Sequence, residues 1–187
     1  MRVAIIGQGY VGLTIAVGAA GAGHKVVGFD VDKELVNQLN SGTSHIEGIS
    51  DSELKNFLSN KTYTASTDAS SVNGCDVIVI AVPTPLTESR EPDLSFVHAA
   101  VELIQNNVKT PTLVINESTS YPGTLRKEIA ARITGIQHLY ASSPERVDPG
   151  NTQWGTKNTP RLIGGLTTDA ASKAKEFYSS FCDTVIE

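Results

Sequence analysis

The sequence predicts an α/β protein: a doubly wound, mainly parallel sheet with helices on both faces. Three observations carry this. Short β-branched runs alternate with longer runs of helical period, the order that builds right-handed βαβ units. The run Val77-Ile78-Val79-Ile80 is apolar on both faces, as a central strand must be when helices cover both sides of the sheet. The first strand runs directly into a glycine-rich turn that opens a helix. The chain has 187 residues, 40% hydrophobic and 19% charged, which suits one globular domain. A domain of this size buries roughly 70% of its unfolded surface.

The elements follow in order. Residues 3–6, Val-Ala-Ile-Ile, form a strand. Residues 10–21 form a helix with Val11, Ile15, Gly18 and Ala22 on one face. Residues 26–29 are the second strand, and residues 32–39 the second helix. A short helix at 52–58 and a brief strand at 62–65 come next. Residues 76–81 are the central strand. Asp93 caps a helix reaching residue 106, followed by a strand at 112–116, a helix at 123–133 and a strand at 138–141. Residues 148–160, polar with Gly, Asn and Pro, read as a loop. A strand at 161–163, a helix with Ala170, Ala174, Phe177 and Phe181 on one face after a Thr168/Asp169 cap, and a strand at 184–186 complete the chain.

Net charge is −5, with no Lys/Arg cluster, so the sequence offers no nucleic-acid or membrane face. That sign does not exclude an anionic ligand, because a local field can oppose the net one. Cys75 and Cys182 make no CxxC and no metal-ligand spacing with the four histidines. Both sit beside apolar runs and read as small core residues, so no metal is expected. The N-terminal stretch superficially resembles a secretory signal, but Gly7, Gly9 and Gly12 interrupt its apolar core and no run reaches 18 apolar residues. The expected location is cytoplasmic.

Gly7-x-Gly9-x-x-Gly12 is weak as a lone motif. Here it follows a strand, opens a helix and precedes Asp30, an acidic residue at the end of the next strand. That context predicts a Rossmann-type dinucleotide site. Gly7 permits the tight turn, Gly9 lets a diphosphate approach the backbone, and Gly12 lets the helix pack on the strand. The helix N-terminus then faces the phosphates. Asp30 is expected on the adenosine ribose; a helix cap is its alternative role. A 2′-phosphate beside Asp30, at about 5 Å and an effective dielectric near 20, would be repelled by roughly 3 kcal/mol. The expected cofactor is therefore NAD rather than NADP, although a Lys33 side chain folded toward the ribose would weaken that repulsion.

Ligands on such sheets bind beyond the carboxyl ends of the strands. Three loops lie there. In "AVPTPLTESREPDLSF", Pro83 and Pro85 stiffen the backbone around Thr84, which suits either a sharp turn or a rigid wall beside a ligand. "NESTSYPGT" places Glu117, Ser118 and Thr119 at a strand end, and "SSPERVDPGN" does so for Glu145 and Arg146. Their hydroxyls are otherwise caps or turns, and Glu145 with Arg146 is otherwise a solvated ion pair.

Taken together, "GQGYVGL", "VPTPLTESREPDLSF", "ESTSYPGT" and "SPERVDPGN" resemble the NAD-binding domain of the UDP-glucose/GDP-mannose dehydrogenase family, over essentially all 187 residues. "SHIEGIS", "TPLTESREPDLS" and "SPERVDPGN" resemble its UDP-N-acetylglucosamine 6-dehydrogenase branch more than the UDP-glucose branch, with UDP-N-acetylmannosamine dehydrogenases as near neighbours. The resemblance implies oxidation of a sugar C6 alcohol to a carboxylate in two hydride transfers to NAD, for surface polysaccharide precursors. It implies cofactor contacts at Gly7, Gly9, Tyr10, Val11, Gly12, Asp30, Lys33, Val82, Pro83, Thr84, Ser118 and Thr119. Thr119 would also help position a catalytic water, Glu145 would act in acid–base steps near the reacting carbon, and Arg146 would border the UDP-N-acetylhexosamine site.

Two departures stand out. Many members carry a basic residue five positions after the ribose aspartate, where this chain has Leu35. The family's nucleophilic cysteine and its catalytic lysine and asparagine belong to later segments, and neither Cys75 nor Cys182 matches the cysteine motif. The expectation is a domain spanning 1–187 that binds NAD without turnover. Dimerisation and UDP-sugar domains would lie elsewhere, in a homodimer or higher homo-oligomer. Other Rossmann dehydrogenases, of hydroxyacyl-CoA or 6-phosphogluconate type, and a non-catalytic NAD-sensing module are the alternatives.

Overall fold

The computed structural model describes residues 1–146 and 155–187. Its strands are β1 (Arg2–Ile6), β2 (Lys25–Phe29), β3 (Tyr63–Ser66), β4 (Val77–Ile80), β5 (Leu113–Asn116), β6 (Leu139–Ser142), β7 (Arg161–Leu162), β8 (Gly164–Gly165) and β9 (Val185–Ile186). The α-helices are α1 (Tyr10–Gly21), α2 (Lys33–Asn40), α3 (Asp51–Ser59), α4 (Ser95–Asn107) and α5 (Thr168–Ser179). Seven strands form one sheet in the order β3-β2-β1-β4-β5-β6-β8. All its pairings are parallel except β6 with β8. The strand order reverses between β1 and β4, which opens a crevice beyond their carboxyl ends.

Alternation along the strands divides the core in two. Val3, Ile5, Val77, Val79, Leu113 and Ile115 face α1, α2, α3 and α5. Ala4, Ile6, Ile78, Ile80 and Val114 face α4 and the segment carrying Ile129 and Ile133. Because both faces are covered, β4 and β5 are buried along their whole length. Cys75 and Cys182 are free and buried, as expected of small core residues.

The structure differs from the expected elements in four places. Helix α1 is buried nearly all round, through Leu13, Ala16, Val17, Ala19 and Ala20 as well as Ile15, while Ala22 is exposed. It is wedged between the sheet and neighbouring helices, and at Gly18 a Cβ would come 2.9 Å from Phe181. The cap of α5 is Thr167, whose hydroxyl accepts from the Ala170 amide, rather than Thr168 or Asp169.

Residues 123–133 are not a regular helix: a wide π-helical turn, Leu125–Ile129, passes into a 3₁₀ turn, Ala130–Arg132. Leu125, Ile129 and Ile133 lie four apart and all turn inward. Finally, β7 and β9 pair with each other in a separate parallel ribbon rather than extending the main sheet. Part of the 148–160 loop lies outside the described residues.

Phe177 is fully buried and packs edge-on against Tyr178 and Phe181, with centroids 4.9 and 5.3 Å away. Phe177→Ala should lower unfolding free energy by about 3–5 kcal/mol in urea titration, through the loss of packing between α5 and the sheet.

Candidate functional site

The turn between β1 and α1 is set by three glycines with different reasons. Gly7 sits at φ +92°, and a Cβ there would come 2.5 Å from the Ala81 carbonyl oxygen at the exit of β4. A Cβ at Gly12 would lie 1.8 Å from the Gly7 oxygen. The fold itself demands both. Gly9 is another matter: no atom lies within 4 Å of the place its Cβ would occupy. It is the N-cap of α1, no side chain caps that helix, and its first turn holds no acidic residue. The helix therefore starts toward open space with its dipole unopposed.

A buried side chain holds this turn from beneath. Gln8 donates to the Ile5 and Gly7 carbonyls at 3.1 Å each and accepts from the Tyr63 hydroxyl at 2.8 Å. Asp30, half-buried after β2, accepts from the Gln8 amide at 2.7 Å through Oδ2 and from the Asp32 amide at 3.0 Å through Oδ1. It is thus fixed beside the turn, while Asp32 caps α2. Tyr10 and Val11 are half-buried in the first turn of α1, and Lys33 is exposed at the start of α2.

The loops after β4 and β5 are joined. Ser118 accepts from the Val82 amide at 3.0 Å and donates to the Val82 carbonyl at 2.8 Å, which commits its one hydroxyl proton to this clamp. Pro83 and Thr119 are exposed, and Thr84 is half-buried. Beyond Thr84 the chain folds back on itself. Leu86 bridges Pro92, Asp93 donates to the Pro85 carbonyl at 2.8 Å, and Arg90 takes a φ of +62° at the tip. The Asp93 carboxylate then accepts from the Ser95 amide at the start of α4.

Behind the loops after β5 and β6 lies a buried charge cluster that the sequence reading did not single out. Arg161, 4% exposed at its side chain, donates through Nη1 to Glu117 Oε1 at 2.6 Å and to Ser143 Oγ at 3.2 Å, and through Nη2 to Glu145 Oε2 at 3.1 Å. Its guanidinium lies 4.5 Å over the Tyr178 ring, and the Tyr178 hydroxyl donates to Glu117 Oε1. Glu117 Oε2 is buried with no hydrogen-bond partner among the described residues. Burial outweighs the attraction of Arg161 and pushes the Glu117 carboxyl up to about 7. Burial works against the Arg161 charge as well, but the carboxylates outweigh it and hold that proton more tightly than usual.

Glu145 therefore pairs with Arg161, not with its neighbour. Arg146 supplies a backbone amide to Glu145 Oε1 at 2.7 Å and is itself exposed. Residues 147–151 of "SPERVDPGN" lie outside the described residues. Arg161 gave no local signal, since its partners are 44 and 16 residues away. Tyr178 had one: it stands four residues after Ala174 on the face already read as buried.

Against this geometry, a family model described as the UDP-glucose/GDP-mannose dehydrogenase family, NAD binding domain, matches residues 1–182. The chain belongs to this family. UDP-N-acetyl-D-mannosamine dehydrogenase of Pyrococcus horikoshii is 36% identical over 97% of the chain, which spans 45% of that protein. UDP-N-acetyl-D-glucosamine 6-dehydrogenase of Salmonella typhi is 33% identical over 95% of the chain and 43% of its own length. A solved UDP-D-ManNAc dehydrogenase from Pyrococcus horikoshii superposes with a TM-score of 0.91 and 34% identity, over all of this chain and 46% of that one. The chain thus spans less than half the length of these relatives. NAD fits the residues present: the space over Gly9 is a cradle that one Cβ would fill, at the uncapped start of a helix. Among the described residues no group of side chains could hold a metal ion, and no helix is long and apolar enough to cross a membrane.

The raised Glu117 carboxyl makes stability depend on pH. Its ordinary value is 4.5 and its folded value about 7, so the folded chain binds the proton more tightly. The stabilisation is complete below pH 4.5 and is lost as pH rises through about 7. Urea titrations between those limits should show wild type losing stability with pH more steeply than Glu117→Gln, whose amide does not titrate.

Proposed function

We propose that this chain works as the NAD-binding domain of a UDP-N-acetylhexosamine 6-dehydrogenase, which oxidises the sugar C6 alcohol to a carboxylate for surface polysaccharide precursors. In this reading dimerisation and sugar-nucleotide binding rest with other parts of the protein. The enzyme is a homodimer or higher homo-oligomer of the cytoplasm. One observation carries the proposal. The open cradle at Gly9 and the loops bearing Thr119 and Glu145 lie at the same edge of one sheet, beside its topological switch point.

When bound, NAD supplies the hydride acceptor; the residues of the chain do the rest. The amides of the turn through Gly7, Gly9, Tyr10 and Gly12 receive the diphosphate, and Asp30 receives the ribose diol. Lys33 borders the adenosine end. Val11, Val82, Pro83 and Thr84 form the wall along the cofactor, with Ser118 holding Val82 in place. Thr119 orients water, Glu145 takes and returns a proton at the reacting carbon, and Arg146 borders the sugar nucleotide. Neither cysteine serves as nucleophile in this reading: burial raises both thiols, which disfavours the thiolate.

Calorimetry on the chain should show NAD binding, with NADP weaker by roughly a hundredfold from its repulsion by Asp30. No reduction of NAD should occur with any UDP-sugar. NADH production by these 187 residues alone, or equal binding of NADP, would overturn this reading.

Gly9→Ala separates cofactor binding from folding. Its methyl meets no protein atom within 4 Å, so melting should be unchanged. NAD affinity should fall about tenfold or more as the methyl blocks the diphosphate's approach. Gly12→Ala should lose both, because its Cβ runs into backbone.

A further inference from the structure

Arg161 lies at the start of β7, in a ribbon outside the main sheet, yet its guanidinium reaches between two carboxylates at the edge that carries the site. One of them, Glu117, is completely enclosed at the end of β5; the other, Glu145, is 13% exposed at its side chain and lies on the site side. Ser143 and the ring of Tyr178 take up other sides of the guanidinium. A planar cation with donors fixed in a fork can hold two acceptors at a set separation, which a lysine ammonium cannot. A structural ion pair would need only one carboxylate. Here a second, buried one anchors the cation from behind, with an oxygen left unpartnered among the described residues. Removing one member of such a buried set leaves uncompensated charge, so the groups act together.

We propose that Arg161 is a positioning residue for Glu145: anchored on Glu117 and Tyr178, it fixes the direction and the charge of the Glu145 carboxylate at the reacting carbon. The proposal rests on the reading of Glu145 as the acid–base group. Among the described residues, the charged and titratable groups around Glu145 are Arg161 from β7, its chain neighbour Arg146, Glu117 from the end of β5 and Cys182 beyond α5. Glu117 shares the one cation with Glu145, but burial raises its carboxyl to about 7, so it carries a proton through the acid range. Glu117→Gln therefore leaves the charge around Glu145 there unchanged, whereas removing the Arg161 charge takes away the cation that faces it.

The test is the pH profile of NAD reduction by the intact dehydrogenase with UDP-GlcNAc or UDP-ManNAc, in wild type, Glu117→Gln, Arg161→Lys and Arg161→Met. The acid limb of kcat should move to higher pH by about half a unit or more in Arg161→Met and stay near its wild-type position in Glu117→Gln. In Arg161→Met, kcat should fall about tenfold or more, with the KM for NAD unchanged within about twofold, because the cation does not touch the cofactor cradle. Arg161→Lys should keep the limb near its wild-type position and recover part of kcat. If Arg161→Met does not fold, Arg161→Gln, which also lacks the charge, takes its place. An active wild type whose acid limb coincides with that of the uncharged Arg161 variant would overturn the proposal, as would a KM for NAD that moves in step with kcat. A wild type that binds NAD but oxidises neither sugar nucleotide would instead bring down the functional reading, and this proposal with it.

Discussion

The turn between β1 and α1 and the start of that helix lie so close to the exits of β1 and β4 that two positions, Gly7 and Gly12, admit no side chain. Everything at the cofactor edge follows from that contact. Because Gly12 lets the helix rest on the Gly7 carbonyl, α1 begins immediately beyond the sheet, with its N-terminus over the crevice. Gly7 in turn bends the chain past Ala81, which brings the loop after β4 beside the helix start. Only with both contacts in place does the third glycine look onto open space. Two glycines are thus required by the fold and one faces open space, the division that the motif implied.

The opposite end of the site depends on charge rather than on close packing. A single guanidinium between Glu117 and Glu145 joins the end of β5, the loop after β6 and the β7–β9 ribbon. Desolvating three ionisable groups together is costly, and the favourable geometry of the forked cation only partly offsets it. The raised Glu117 carboxyl expresses what remains. Such a cluster is poor evidence of a role in stability alone. Its placement directly behind the Glu145 carboxylate is the observation on which the proposed positioning role rests.

Much of the fold was legible because its signals are local. Strand runs and the glycine spacing lie within a few residues of one another, and the strands and the first helix they announced are present. The misreadings occurred where tertiary contact overrode a local rule. Helix α1 shows no single apolar face because protein covers it nearly all round, and within residues 123–133 a wide turn followed by a tight one replaces a regular helix. At the site, the loops that carry its side chains were found from strand order. The cation that organises one of them was not, since Arg161 is distant in sequence from both its carboxylates and sits in a short strand of no distinctive pattern.

The reciprocal hydrogen bonds between Ser118 and Val82 have a thermodynamic consequence. They couple the loops after β4 and β5 into one lip, so the two walls do not fluctuate independently before a ligand arrives. Association then restricts fewer degrees of freedom, and more of the contact energy survives as affinity. By the same token, a substitution at this serine would act at a distance, loosening the lip and penalising every guest through entropy rather than through any contact of its own.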